Sequence, residues 1–301
     1  MTELKKIFII PLIIIPFVVL SQSKIGVIKD KDGYTNVRTD RNNRSEIIGK
    51  VLDKEYFTYF ENKESNWWLI ETVKGQFGYV HESRILFVQN GYVQNGKLTN
   101  KKVMVTEKIE NLQQVVIKII QLRPSEDSYE FSCRGLIRTI KGNKIINEIN
   151  YGNIEPVGSS FGLVYSKKQN NENLFIASKF GDYSGEIIII DESGKIQNFQ
   201  GGQYFITKNE KYLVSGWSSD LSGLTIYDLK KKQIRFNNEL DFYLGDWYLS
   251  DNIYFSPLWN GERELEQTYQ IDFDNFQLKK SKLKTNDVGK IKMKNEDCYC
   301  N

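Results

Sequence analysis

Residues 25 to 87 alternate short apolar stretches with turn signals every few positions, a spacing that favours strands and leaves no room for a helix. Ile25-Gly26-Val27-Ile28 reads as an entering strand, and Asp30-Lys31-Asp32-Gly33 as a hairpin turn whose glycine tolerates positive φ. Tyr34 to Arg38 forms the next strand, and the polar run Thr39 to Glu46 is a loop. Apolar spacing returns over Ile47 to Leu52. Tyr56, Phe57, Tyr59 and Phe60 then crowd one short segment, and Trp67, Trp68, Leu69 and Ile70 another. Lys74-Gly75-Gln76 turns the chain into Phe77 to Val80. Short strands at this density predict a small barrel filled by its own side chains.

The remainder is also strand-rich, with candidate strands from Gln114 to Phe273. A helix over Glu107 to Leu122 is the one competing reading, and the β-branched run Val115-Val116-Ile117 opposes it. Sliding the chain by 38 positions superposes Asn173 to Ser178 on Lys211 to Gly216, Ile188 on Ile226, and Asp191 on a position next to Asp228. A looser copy runs from Ile253 to Asp272. The fold class is therefore all-β: a small barrel at residues 22–88, a polar Gly-rich linker at 89–100, and a β-rich repeat region at 101–301 with a basic tail. The repeat wording is similar to WD-type propeller blades, and about four blades fit the length, at the low end for that architecture. An incomplete propeller, a fused sheet and a β-sandwich are the other arrangements left open.

In the barrel, Tyr34, Asn36, Val37 and Arg38, then Ile48, Gly49 and Val51, then Trp68 and Ile70, and finally Gly78, Tyr79 and Val80 resemble the bacterial SH3-like domain in order and spacing. The family often continues after the arginine with Ser, Gly and Pro, whereas this chain has Thr39-Asp40-Arg41-Asn42 in the loop that borders the groove in relatives. The resemblance implies a non-catalytic module for cell-wall peptides or other envelope polymers, with another envelope protein as a further partner class. Aromatic side chains give rigid contact area at low entropic cost, so Tyr34, Tyr59, Trp67 and Tyr79 are the candidate ligand contacts. Trp67 and Trp68 are adjacent on one strand and point to opposite faces; the family pattern assigns Trp68 to the core and Trp67 to the surface.

Lys5 and Lys6 precede an apolar run from Ile7 to Leu20, closed by Ser21-Gln22-Ser23. This is the pattern of a secretory signal peptide over residues 1–21, with cleavage after Ser21 or, alternatively, Ser23. The run is shorter than the ~20 residues a span needs, so no stable membrane span is expected after cleavage. Export to the periplasm or the cell exterior follows. The net charge of +3 gives no basic footprint for nucleic acid. Cys133, Cys298 and Cys300 permit one disulfide, Cys133 with Cys298 or Cys300, because the single residue between the tail pair strains a bridge there.

No catalytic set and no cofactor is expected. One histidine, His81, cannot supply a zinc hydrolase, nor is it placed as the base of a cysteine peptidase. Asp30-x-Asp32-Gly33 begins like a calcium loop, but Arg41 occupies the closing position, and no metal site is assigned. Asp182, Asp220, Asp272 and Asp274 read as turn carboxylates. A wall or polysaccharide hydrolase using carboxylates of the second region is the alternative from a different class.

Overall fold

A computed structural model describes residues 21–124, 134–151, 162–169, 174–180, 185–201, 204–218 and 222–291. Among the described residues the chain is all-β. The expected signal segment, apart from Ser21, and all three cysteines lie outside them.

The barrel is built from β1 (Ser21–Ile28), β2 (Tyr34–Arg38), β3 (Ile47–Leu52), β4 (Phe57–Phe60), β5 (Trp67–Glu71), β6 (Phe77–His81) and β7 (Ile85–Asn90). Its strands run in the order β7-β1-β4-β5-β6-β2-β3, all antiparallel. Val37, Val51, Phe57, Tyr59, Ile70 and Val80 fill the interior. Alternation along β2 explains the sorting, since Thr35 and Val37 point in while Tyr34, Asn36 and Arg38 point out.

The segment read as a linker is folded. β8 (Tyr92–Gln94) and β9 (Lys97–Thr99) form a hairpin. It is locked to the barrel by the buried Tyr92 hydroxyl, which donates to Glu71 at 2.6 Å, and by the Val93 N–H, which donates to Thr58 Oγ1 at 3.0 Å. Gly91 sits at φ +139°, and a Cβ there would lie 2.1 Å from the Thr99 carbonyl oxygen. The glycine that looked like a flexible joint therefore permits a close backbone crossing.

Four antiparallel meanders follow. The first contains β10 (Val103–Leu112), β11 (Val115–Pro124), β12 (Arg134–Lys141) and β13 (Lys144–Tyr151). Its opening hairpin replaces the competing helix, because Val115, Ile117 and Ile119 bury one face at period 2 while Ile120 and Leu122 bury the other. The second comprises β14 (Gly162–Gln169), β15 (Leu174–Phe180), β16 (Gly185–Ile190) and β17 (Ile196–Gln200). The third comprises β18 (Tyr204–Ile206), β19 (Tyr212–Ser218), β20 (Ser222–Asp228) and β21 (Gln233–Leu240). In the fourth, β22 (Tyr243–Leu244) and β23 (Tyr248–Ser250) together edge β24 (Ile253–Trp259), which pairs with β25 (Glu264–Asp272) and then β26 (Gln277–Ser281).

The 38-residue offset carries β15 onto β19 and β16 onto β20, so the repeat in sequence is a repeat of strands. An aspartate closes the third strand of each repeated unit: Asp191, Asp228 and Asp272 each accept backbone N–H groups of the following turn. Asp272 thus serves its turn as expected, while Asp182 and Asp220 lie outside the described residues.

Successive sheets stack face to face. Leu174, Ile176, Ile187 and Ile189 face the third meander, while Phe175, Ala177, Ile188 and Ile190 on the same strands face the first. The continuous apolar run Ile187 to Ile190 is thereby explained, because a strand buried on both faces has no polar side to alternate with. The barrel stacks against the first meander through Phe60, Leu69, Phe77 and Tyr79 on one side and Val105, Ile120, Leu122 and Leu136 on the other. The two also share a sheet, since Ser21 and Gln22 of β1 pair with Val105 and Met104 of β10.

Candidate functional site

The barrel residues that carried the sequence pattern have distinct physical jobs. Gly78 lies where β6 crosses β2, and a Cβ there would approach Val37 Cγ1 to 2.4 Å and the Arg38 carbonyl oxygen to 2.8 Å. Only glycine fits without movement. Arg38 donates from Nη1 to the Ser45 carbonyl at 2.7 Å and closes the base of the 39–46 loop. Trp68 packs on the barrel core by stacking on Tyr59, with ring centroids 5.4 Å apart and planes 5° from parallel.

Of the four candidate contacts, two are inside. Tyr59 is 2 % exposed and belongs to the barrel core, where burial, followed by the Glu61 charge, pushes its phenol up to about 12. Tyr79 is fully buried at the seam with the first meander. Neither offers a ring face to a soluble ligand. Trp67 is half-buried; it packs against the same seam and meets the His81 ring edge-on at 5.4 Å. Tyr34 points outward, with the Lys50 ammonium 3.8 Å from its ring centroid.

The departing loop has a different use from the one the resemblance implies. Asp40 accepts from Lys118 Nζ of β11 at 2.9 Å, and Arg41 donates from Nη2 to Glu107 of β10. Glu107 also accepts the Tyr79 hydroxyl proton and lies 3.8 Å from Lys118 Nζ. Arg41 and Lys118 approach the Tyr79 ring, at 5.3 and 4.3 Å from its centroid. At its far end the loop reaches the turn between β12 and β13, where the Glu46 N–H donates to the Asn143 carbonyl and the Glu46 carboxylate accepts the Ile145 N–H at 3.0 Å. Nearby, the buried Arg138 donates to Glu148 at 2.6 Å and to the Phe77 carbonyl at 3.0 Å.

Burial sets the charge states in this cluster. Desolvation lowers the Lys118 pKa, opposed by Glu107 and Asp40, and raises the Tyr79 phenol well above its ordinary value, reinforced by the Glu107 charge. Burial alone would raise Asp40, but the charge and hydrogen bond of Lys118 hold it below the usual carboxylate value. The loop is thus clamped onto the second region by paired, partly desolvated charges.

Two faces of the barrel stay open: the outer side of β7, where Leu86 and Phe87 are about half exposed, and the outer face of the β2–β3 ribbon. Tyr34 pairs with Leu52 and Asn36 with Lys50, so these four side chains share one face, and beyond a bulge Arg38 pairs with the exposed Ile47. Leu52 is 57 % and Ile47 49 % exposed, large values for aliphatic residues on one small ribbon. Of this face the sequence marks Tyr34 as a candidate contact and Asn36 and Arg38 only as carriers of the resemblance. Lys50, Leu52 and Ile47 were missed because a strand's outward residues become a patch only once the partner strand's register is known. Among the described residues no group of three His, Cys, Asp or Glu is placed to hold a metal ion.

Residues 33–85 match the family model described as bacterial SH3 domain. The N-terminal unit is therefore a bacterial SH3 domain, and the region after it is a β-rich repeat. No curated protein sequence matches the chain. Among solved structures it is similar to Sqt1 of Saccharomyces cerevisiae, at 9 % identity over 88 % of this chain and 86 % of that one, with a TM-score of 0.29. It is also similar to a subtype N10 neuraminidase-like protein of A/little yellow-shouldered bat/Guatemala, at 8 % identity over 85 % and 97 %, with a TM-score of 0.22.

Proposed function

We propose that this chain is an exported, non-catalytic binding protein whose SH3 domain engages a cell-wall peptide or another envelope polymer through the outer face of β2–β3. The observation that carries the reading is the division of the barrel surface. The 39–46 loop is committed to Lys118 and Glu107, whereas Tyr34, Lys50, Leu52 and Ile47 stay open side by side. A tyrosine under a lysine ammonium, flanked by aliphatic side chains, suits an extended chain that carries carboxylates. The four meanders are read as an arc of propeller-like blades, with the barrel stacked on the first.

Export rests on the charged start and apolar run of residues 1–21. Cleavage after Ser21 keeps Ser23, whose buried hydroxyl accepts the Val103 N–H at 2.9 Å, whereas cleavage after Ser23 would remove it. The first site is therefore favoured.

The test is co-sedimentation of residues 22–301 with purified peptidoglycan. Retention in the pellet is expected, with Tyr34→Ala and Lys50→Glu each reducing it and Trp67→Ala leaving it intact. Retention lost with Trp67→Ala but kept with Tyr34→Ala would move the ligand to the seam and sink the proposed face.

A further inference from the structure

At one end of the stacked sheets, between the third and fourth meanders, lies a cavity of about 600 Å³ that belongs to neither the barrel nor its seam. That volume suits a ligand of one or two sugar units. Lys208, Lys211, Lys231 and Arg235 line it against two carboxylates, Asp228 and Asp274, leaving an excess of positive charge. Asp228 is buried and partly spent on its own turn, accepting the Lys231 N–H at 2.8 Å. Lys211 is held above its ordinary pKa by its hydrogen bond to Tyr212, with smaller help from Asp228 and Asp274. Among the described residues, Lys208, Lys231 and Arg235 have no salt-bridge partner.

The wall of the cavity is rigid and, at one point, strained. Tyr212 stacks on Phe273 at 4.8 Å and meets Phe276 edge-on at 5.7 Å. Phe276 has φ +52°, in the left-handed region that bulky residues rarely occupy, and Asn252, another lining residue, has φ +65°. The corresponding turns place Gly194 of the second meander and Lys232 of the third, the latter at φ +53°, in this region, so the conformation belongs to the turn and the choice of a phenylalanine is what calls for a local reason. The geometry supplies one, because the Phe276 ring lies 4.5 Å from the Arg235 guanidinium and pins it at the cavity wall.

We infer that this cavity binds a sugar or polyol unit bearing a phosphate or carboxylate group. Arg235 and Lys231 take the anion, while Asn252 and Asp274 offer an amide and a carboxylate to hydroxyl groups. Phe276 is a positioning residue that acts through Arg235. The inference does not depend on the barrel reading, and its test involves no wall material.

The experiment is isothermal titration of the full chain with glycerol 3-phosphate, glucuronate, glucose and inorganic phosphate, under matched low salt. One of the two organic anions should bind at least about tenfold more tightly than glucose, and which one does so separates phosphate from carboxylate as the natural group. Arg235→Gln should weaken that binding about tenfold, with Lys231→Gln as the independent variant should the first fail to fold. Phe276→Asn, which accepts the left-handed backbone, should weaken binding in the parent and cost nothing further in the Arg235→Gln background. No saturable binding of either organic anion, or equal binding of glucose, would overturn the site. Inorganic phosphate binding as tightly as glycerol 3-phosphate would remove the polyol from the assignment, and additive losses from Arg235→Gln and Phe276→Asn would remove the positioning role.

Discussion

Replacing Glu107 with glutamine tests whether the SH3 domain is fused to the second region by buried charge. The Glu107 side chain is only 8 % exposed and serves three groups at once: the Tyr79 hydroxyl, Arg41 and Lys118. Glutamine keeps the shape and can still accept from Tyr79, but it leaves Arg41 and Lys118 both beside the Tyr79 ring, with only the half-exposed Asp40 in compensation. At 3.8 Å the Glu107–Lys118 attraction alone has a gross size of about 4 kcal/mol at an effective dielectric of 20. Removing one partner of a buried pair typically costs about 3–5 kcal/mol, because the remaining charge is stranded. The same loss is expected here, a large part of the ~5–15 kcal/mol that holds a domain folded.

The assay is urea unfolding followed by tryptophan fluorescence, for which Trp67 at the seam is a local reporter. The double variant Glu107→Gln/Lys118→Met removes the stranded ammonium and should recover to within about 2 kcal/mol of the parent. Molar salt should leave the Glu107→Gln deficit largely unchanged, since buried pairs are poorly screened. A deficit below about 1 kcal/mol, or a double variant as unstable as the sum of its parts, would refute the clamp.

Two further outcomes follow from named contacts. Gly78→Ala should destabilise the barrel by about 1–3 kcal/mol, read from the urea midpoint, because its methyl would enter the space of Val37 and the Arg38 carbonyl. Asp272 is held at about 2, below its ordinary 3.8, first by the Asn275 side chain and then by turn N–H groups and Lys279. A depressed carboxylate stabilises above its unfolded value and loses that contribution as pH falls through the folded one. The protection factors of amides in the β25–β26 turn, exchange corrected for its intrinsic pH dependence, should therefore fall between pH 4 and pH 2 only, and a carboxyl titration midpoint at 3.8 or above would contradict the turn geometry.

Much of the architecture was legible along the chain. Alternation at period 2 marked the barrel strands, and the 38-residue offset marked equivalent strands of neighbouring meanders, because stacked units repeat the same burial pattern. The turn aspartates were visible for a related reason, since a carboxylate at a strand end caps the hairpin that follows. Gly91 misled: glycine in a polar run looks the same whether it loosens a chain or lets two backbone segments cross. Lys118 within Val115 to Leu122 reads in the sequence like an outward residue of a half-buried strand, yet both faces are buried, and nothing local announces that Asp40, far away in sequence, will meet it.

The sequence by itself determined the class of this protein, an all-β chain opening with a bacterial SH3 domain, because hydrophobic period, turn chemistry and the Gly78-Tyr79-Val80 crossing are local requirements of strands and barrels. Which faces of that barrel remain available was decided only by tertiary structure. Tyr34, Tyr59, Trp67 and Tyr79 are equivalent as aromatic strand residues, yet one is outward, one lies at a half-buried seam and two are buried. Exposure depends on what packs opposite: Tyr59 is covered by the barrel's own core, whereas the groups that cover Tyr79 come from β10 and β11, beyond the end of the barrel's sequence.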